Sequence, residues 1–284
     1  MLDSHAHVVS DDLARYPAAP AGETLKPGDL DDPMTIERLV GDMDASGVER
    51  AILVQRGSIY GFDNRYVCDS AKRFPDRLAA VCSIDATAED GAASVRRWVG
   101  DHGAAGVRLM QLVREQDISW LYAPLAMQVW RTAHDLHVPV CVHFFPWNRV
   151  EGLTCLAQIL QELPDLQVVI DHFSNMDVRQ PGPDYGVDDL LAGVAAFAGV
   201  RTKFTTVPLG RLEEAGVDAR PIVKRVVDLF GAERVMWGSD ITQSKGTYGS
   251  MVELGQRAIE ALSSSEQDQV LQGAATAVYG GAWR

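Results

Sequence analysis

The 284-residue sequence predicts an α/β protein, specifically a single-domain (β/α)8 TIM barrel over residues 1–284 with an extra C-terminal helix. Two features favour this fold. Eight short runs rich in Val, Ile and Leu alternate with segments of helical spacing, which is typical of parallel strands joined by helical crossovers. In addition, no glycine-rich phosphate-binding motif follows the first run, which disfavours an open dinucleotide-binding sheet. The chain length also suits a closed α/β barrel.

The predicted strands are nearly continuous apolar runs, as expected for parallel strands that helices cover on the outside. The carboxyl ends of such strands meet at one mouth of the barrel, where the active sites of this fold lie. In chain order the predicted strands are Leu2–Val8, Arg50–Gln55, Leu78–Asp85, Ala105–Met110, Pro139–Phe145, Gln167–Phe173, Val200–Val207 and Arg234–Asp240.

The segments between the strands carry apolar residues at helical spacing. The first has Thr35 as a candidate N-cap and Gly47 just past its end. The proline-rich stretch 17–33 predicts a long first loop that covers the mouth as a lid. The predicted helices are Thr35–Ser46, Asp63–Phe74 with an Asp cap, Glu89–His102, Pro124–His137, Glu151–Leu163, Val187–Phe197, Ala219–Phe230, Gly249–Leu262 and, packed on the outside, Ser265–Tyr279.

Composition limits the classes of partner. The net charge of −13 argues against nucleic acid and anionic membrane surfaces, since both require a basic face. No apolar run reaches the roughly 18 residues of a membrane span. The four cysteines are scattered without paired spacing, which favours reduced thiols. We therefore expect a cytoplasmic protein, free or as a homo-oligomer, that acts on a small molecule.

Polar residues end four of the predicted strands. His5 and His7 close the first, His143 the fifth, His172 the sixth and Asp240 the eighth. Imidazoles and a carboxylate suit a divalent ion such as Zn²⁺ or Mn²⁺ that keeps one position open for water. Such an ion lowers the pKa of the bound water and polarises a carbonyl. These residues together predict an active site, although a lone His-x-His pair is a weak signal.

Several motifs carry a family resemblance that runs nearly from end to end. They include Asp-Ser-His-Ala-His at 3–7, Gly-Val-Arg-Leu at 106–109, Val-Ile-Asp-His-Phe at 169–173 and Trp-Gly-Ser-Asp-Ile at 237–241. With these motifs the sequence resembles the amidohydrolase superfamily, in particular its amidohydrolase-2 branch. That branch contains 2-pyrone-4,6-dicarboxylate lactonase and sulfomuconolactonase-like TIM-barrel hydrolases.

The resemblance implies one metal ion held by His5, His7, His143 and Asp240. It further implies that Asp240 is the base that activates water and that His172 polarises the substrate carbonyl. No lysine ends the fourth strand, where relatives with two metals carry a bridging group. We therefore expect one Zn or Mn ion, or none.

Three further residues are candidates for substrate binding. Arg108, at the end of the fourth strand, matches a position that can hold a substrate carboxylate in this branch, although an ion pair within the barrel mouth is an equal alternative. Gln55 and Tyr60, near the end of the second strand, are weaker candidates. Lys203, on the seventh strand, is expected to be an internal ion-pair partner.

The resemblance and the site together predict a metal-dependent hydrolase, specifically a lactonase that opens a small carboxylated lactone. One alternative is a non-oxidative decarboxylase of an aromatic or muconate-like acid. Val8 stands where an acidic residue would follow His7, which favours the lactonase. A metal-independent lactonase and a barrel that binds its ligand without turnover are two further alternatives.

Overall fold

Eight parallel strands form one sheet whose order follows the chain, as the sequence predicts. The computed structural model describes residues 1–21, 25–111 and 117–283. The strands in this part of the chain are β1 (Leu2–Ala6), β2 (Arg50–Val54), β3 (Leu78–Ser83), β4 (Gly106–Met110), β5 (Val140–His143), β6 (Val168–Ile170), β7 (Val200–Thr205) and β8 (Val235–Gly238). The chain is therefore a (β/α)8 barrel.

The end of β8 closes the barrel against β1. The backbone N–H of Asp240 donates to the His5 carbonyl at 2.7 Å. The buried carboxylate of Asp3 accepts from the backbone N–H groups of His5 and Ser239, each at 2.9 Å. These bonds fix the ends of the first and last strands relative to each other, and both ends carry predicted site residues.

Helices follow the strands on the outside of the barrel. Thr35 caps the first helix as predicted, because its side chain accepts from the Arg38 N–H. The described helices are α1 (Ile36–Ala45), α2 (Gly57–Tyr60), α3 (Arg65–Arg73), α4 (Gly91–Arg96), α5 (Pro124–Asp135), α6 (Arg149–Glu162), α7 (Asp189–Ala195), α8 (Thr206–Glu214), α9 (Arg220–Phe230), α10 (Tyr248–Ala258), α11 (Ser264–Asp268) and α12 (Ala274–Tyr279).

Two details of the helix prediction are wrong. α8 begins at Thr206, where the sequence predicts the end of a strand, and no helix was expected in this segment. Asn64, and not Asp63, occupies the N-cap position of α3, and the Asp63 carboxylate pairs with Arg65. Both errors lie at junctions between secondary-structure elements.

The last helix lies in a different place from the one predicted. It was expected on the outside of the barrel, but α12 packs against residues that start the strands. Tyr279 is buried in a cluster with Leu2 and Met236, and its hydroxyl lies 3.3 Å from the Cys141 sulfur. α12 therefore covers the end of the barrel opposite to the mouth.

The main core lies between the strands and the surrounding helices. Trp130, Leu153 and Phe230 are among its buried side chains. Burial of such side chains stabilises the fold by roughly 1.5–3 kcal/mol each. None of the helices in the described ranges is long and apolar enough to cross a membrane.

Candidate active site

A cavity of about 420 Å³ opens at the carboxyl ends of the strands. His7, His143, His172, Asp240 and Arg108, all predicted site residues, line it. The complete lining is His7, Ala21, Lys26, Asp29, Arg56, Gly57, Ser58, Arg108, Met110, Gln111, His143, Phe145, His172, Asp240, Thr242 and Gln243.

His5, His7 and Asp240 converge below this cavity. Oδ1 of Asp240 lies 3.1 Å from Nε2 of His7 and 3.6 Å from Nε2 of His5. All three residues are buried, and one potential ligand atom of each lies within 4.8 Å of the others. The structure thus brings together three of the four predicted metal ligands.

The hydrogen-bonding partners of His7 show that this convergence suits a cation. Nδ1 of His7 lies 2.7 Å from the Val54 carbonyl, which only accepts, so Nδ1 carries the proton. In the neutral form of this ring, the lone pair of Nε2 faces the carboxylate of Asp240, whose Oδ1 has no hydrogen-bond partner among the described residues. Two ligands of a tetrahedral zinc ion lie roughly 3.3 Å apart. The observed separations therefore fit a bound divalent cation.

The hydrogen bond of His143 places its proton on the opposite ring nitrogen from that of His7. Nη2 of Arg108 donates to its Nδ1 at 3.0 Å. Because a guanidinium only donates, the neutral imidazole carries its proton on Nε2, which is buried without a partner among the described residues. His143 lines the cavity but does not join the group of His5, His7 and Asp240. Its role as a metal ligand stays a prediction.

The buried carboxylate of Asp171 connects these groups, and the sequence analysis missed it. It accepts from Nε of Arg108 at 2.9 Å and lies 3.4 Å from Nδ1 of His5 and 3.6 Å from Nζ of Lys203. The ion-pair role expected for Lys203 is present, and so is the ion-pair alternative for Arg108. A buried Asp directly before His172, at the end of a strand, is the signal that could have identified Asp171.

His172 sits in an unusual stretch of backbone beyond β6. Its φ is 52°, and Asp240, beyond β8, has a φ of 53°. Non-glycine residues rarely adopt this left-handed conformation, which is concentrated at functional sites. Nδ1 of His172 is hydrogen-bonded to the Thr205 hydroxyl at 2.6 Å, so β7 orients the ring. The sequence analysis did not single out Thr205.

Burial favours the neutral forms of His5, His143 and His172. It lowers the pKa of His172, and it lowers the pKa values of His5 and His143 well below the usual histidine value. Burial alone would raise the pKa of Asp240, but the neighbouring imidazoles outweigh it and hold that pKa below its ordinary value. The site thus presents neutral imidazoles beside an ionised carboxylate, which is the form that binds a metal or accepts a proton.

Gln55 and Tyr60 do not line the cavity. The Gln55 amide donates to the Asp63 carbonyl at 2.7 Å, and the Tyr60 hydroxyl accepts from the Ser10 N–H at 2.8 Å. These bonds hold the loop after β2 against its neighbours. Substrate contacts by Gln55 and Tyr60 stay predictions that nothing in the cavity supports.

The first loop reaches over the cavity, in agreement with the predicted lid. Ala21, Lys26 and Asp29 belong to the lining, and Asp29 pairs with Arg56 beyond β2 at 3.2 Å. Residues 22–24 of the predicted lid lie outside the described residues. Sequence reasoning missed Lys26 and Asp29, because only the loop conformation brings them to the mouth. It also missed Arg56, although this residue lies just beyond the carboxyl end of β2.

The barrel and its histidine–carboxylate site define a (β/α)8-barrel enzyme with a polar centre at the carboxyl ends of its strands. The chain belongs to the amidohydrolase-2 family, whose model, described as "Amidohydrolase", matches residues 2–281. It is therefore a hydrolase, and the resemblance inferred from the motifs is confirmed. A curated relative, L-fucono-1,5-lactonase of Burkholderia ambifaria, is 29% identical over 217 residues, covering 72% of this chain and 70% of the relative.

Solved structures share the fold. A Pseudomonas putida protein, provisionally assigned as a 2-pyrone-4,6-dicarboxylic acid hydrolase, is 25% identical with a TM-score of 0.76, covering 98% of this chain and 97% of its own. A zinc-bound amidohydrolase from Burkholderia multivorans is 22% identical, with a TM-score of 0.72 and 98% of each chain covered. A manganese-bound 5-carboxyvanillate decarboxylase from Novosphingobium aromaticivorans is 16% identical, with a TM-score of 0.69 and coverages of 98% and 96%.

Proposed function

We propose that this protein is a lactonase that hydrolyses the ester bond of a small lactone at the centre formed by His5, His7 and Asp240. The observation that carries the proposal is the ionised, buried carboxylate of Asp240 beside the imidazoles of His5 and His7 at the base of the cavity. Such a carboxylate can take a proton from a water molecule. The lactonase name of the curated relative supports a lactone as substrate.

The reaction needs a base and hydrogen-bond donors around one carbonyl group. In our proposal Asp240 takes a proton from water, and the resulting hydroxide attacks the carbonyl carbon of the lactone. His172 donates from Nε2 to the developing oxyanion, because the Thr205 hydroxyl can donate to its Nδ1. Asp240 then returns the proton to the ring oxygen as the C–O bond breaks, so the product is an open hydroxy acid.

A divalent ion fits the same centre. His5, His7 and Asp240 would hold it, and zinc or manganese in structural neighbours supports either metal. When bound, the ion polarises the carbonyl and lowers the pKa of water. His143 then supplies a second N–H donor towards the substrate, because Arg108 donates to its other ring nitrogen.

A decarboxylase is the second candidate reaction. The manganese-bound decarboxylase among the structural neighbours favours it, and Arg108 lines the cavity where a carboxylate could bind. However, both buried arginines of the cavity wall already have a carboxylate partner, Asp29 for Arg56 and Asp171 for Arg108. Loss of CO2 also needs no water-activating base, whereas Asp240 is placed to be one.

Product analysis in H2¹⁸O tests the proposed reaction. Purified protein is incubated with γ- and δ-lactones and, separately, with aromatic carboxylates, and products are measured by mass spectrometry. We expect a hydroxy acid carrying one ¹⁸O in its carboxylate. The variant Asp240→Asn should lower kcat by about 10²- to 10⁴-fold.

The matched control is Asp228→Asn, which changes an exposed carboxylate on α9 and should keep the wild-type rate. Release of CO2 without ¹⁸O incorporation would assign the decarboxylase instead. Unchanged turnover by Asp240→Asn, or no turnover of any lactone, would overturn the proposal. A cytoplasmic location and a homo-oligomeric state stay predictions.

A further inference from the structure

A buried ion pair joins the first loop to the barrel at the roof of the cavity. Nη2 of Arg56 donates to Oδ1 of Asp29 at 3.2 Å, and the two side chains are 8% and 14% exposed. Oδ2 of Asp29 accepts from the backbone N–H of Lys26 at 2.9 Å, which fixes the carboxylate. Both Arg56 and Asp29 line the cavity. We call this pair the clasp.

The bond to Asp29 leaves other N–H groups of Arg56 available as hydrogen-bond donors. Nε of Arg56 reaches the Ser58 hydroxyl at 3.4 Å, and Nη1 has no hydrogen-bond partner among the described residues. A buried guanidinium is costly when its N–H groups are unsatisfied. The free N–H groups of Arg56 therefore suit an oxygen atom of a bound ligand. Arg56 and Asp240 both line the cavity, so the two residues belong to one site.

The carboxylate of Asp29 restricts which kind of ligand oxygen can bind to Arg56. A ligand carboxylate placed against Arg56 would meet the negative charge of Asp29 on the same guanidinium, and like charges at this distance repel. A hydroxyl group meets no such penalty, because it can accept from Arg56 and donate to Asp29. The side-by-side donor and acceptor of the clasp thus match a hydroxyl group.

The rest of the lining agrees with a hydroxylated ligand. Arg108 is also paired, with Asp171, so each of the two buried arginines of the cavity wall already has a carboxylate partner. Ser58, Gln111 and Gln243 add neutral polar groups to the wall. A ring with two carboxylates would have to compete with two protein carboxylates for these guanidinium groups.

We propose that Arg56 is a substrate-binding residue that, together with Asp29, recognises a ring hydroxyl, so that the substrate is a polyhydroxylated sugar-acid lactone and not a dicarboxylate. This inference rests on the proposed function for the identity of the ring as a lactone. In this proposal Asp29 accepts a hydrogen bond from the same hydroxyl, and it also orients Arg56 and holds the first loop across the cavity.

Binding of stable rings tests the clasp without any turnover. The probes are a full set of stereoisomeric 1,5-anhydroalditols, their mono-deoxy analogues and tetrahydropyran-2-carboxylate, measured by isothermal titration calorimetry. The wild type should bind at least one anhydroalditol and prefer it to the carboxylate. Arg56→Met should weaken that binding by about 10- to 100-fold. One mono-deoxy ring should bind the wild type weakly and lose nothing further in Arg56→Met, because both changes remove the same contact.

Two other variants provide a second test of the Arg56–Asp29 pair and a matched control. Asp29→Asn should also weaken binding of the hydroxylated ring and should improve binding of the carboxylate, since it removes the repelling charge. Asp32→Asn is the matched control, because Asp32 lies in the same loop but pairs with Arg38 away from the cavity and should bind as the wild type does. Thermal unfolding of each variant shows whether it is folded.

Three results would overturn the inference. They are the absence of binding by every anhydroalditol, a preference of the wild type for the carboxylate, and an equal loss in Arg56→Met for all rings including every deoxy analogue. Failure of the proposed reaction can be distinguished from failure of this inference. If the rings bind as expected and no lactone is hydrolysed, the clasp stands and the lactonase does not. If lactones are hydrolysed and Arg56→Met binds the rings like the wild type, the lactonase proposal stands and the role of the clasp does not.

Discussion

Single hydrogen bonds assign different chemistry to histidines of the same site. The Val54 carbonyl places a proton on Nδ1 of His7 and leaves a lone pair at Nε2. Arg108 donates to Nδ1 of His143, so the neutral ring of His143 carries its proton on Nε2. His7 can therefore act as a ligand, whereas His143 presents an N–H group. The partner of each ring, and not the residue type, decides which role is open.

Asp171 offers a test at the residue scale. Replacing it by Asn keeps the shape of the side chain but leaves Arg108 and Lys203 as buried cations without a compensating charge. We expect Asp171→Asn to lower the free energy of unfolding by about 3–5 kcal/mol. The measurement is urea denaturation followed by circular dichroism.

The exposed carboxylate of Asp228, which pairs with Lys224 on α9, provides the control. Asp228→Asn should leave stability unchanged within error, because exposed ion pairs contribute little. A loss for Asp171→Asn no larger than for Asp228→Asn would show that the buried network does not stabilise the fold.

The sequence identified the residue types of the site but not their partners. His5, His7, His172 and Asp240 could be predicted, because each ends an apolar strand and such ends meet in a barrel. Asp171, which joins them, follows an apolar run in the same way and could have been identified as a site residue, but its partners could not, since they lie on β1, β4 and β7. The same limit explains why the pairing of the first loop with the barrel was missed.

The predicted strands are longer than the observed ones at the functional end. β6 ends at Ile170, whereas the apolar run predicted it to reach Phe173. Residues 171–175 instead leave the sheet, four of them with positive φ, and this turn directs His172 towards the mouth. Periodicity predicts where a strand lies, but the turn that ends it depends on contacts such as that of His172 with Thr205.

Gly238 allows a test at the element scale. It ends β8 where that strand meets β1, and a Cβ atom there would lie 2.6 Å from Cβ of His5. Gly238→Ala must therefore push His5 aside. We expect a loss of about 1–3 kcal/mol in the free energy of unfolding, measured by urea denaturation, together with reduced activity.

The same substitution in a helix should have the opposite effect. Gly41 lies in α1, and a Cβ atom there would meet nothing within 4 Å. Gly41→Ala should raise stability by about 0.5–1 kcal/mol, because alanine favours the helix, and should not change activity. Wild-type stability and activity in Gly238→Ala would contradict the close approach of β8 to β1.

For the whole molecule, the alternation of apolar runs and helical segments was enough to predict the barrel. It was not enough to place the last helix, because the amphipathic pattern of Ser265–Tyr279 does not tell which surface it covers. In the structure α12 covers the closed end of the barrel, and the first loop covers the open end. The substrate therefore has to reach His7 and Asp240 through the cavity beneath that loop.

The central claim is that His5, His7 and Asp240 form a cation-binding hydrolytic centre. Elemental analysis of protein purified without chelator, paired with activity before and after chelation, tests it most directly. We expect about one equivalent of zinc or manganese in the wild type and in the surface control His134→Gln, its loss in His7→Gln, and loss of activity on chelation. Protein that contains no metal and keeps full activity with chelator would contradict it, and would leave His5 and His7 as substrate-binding groups of a metal-independent lactonase.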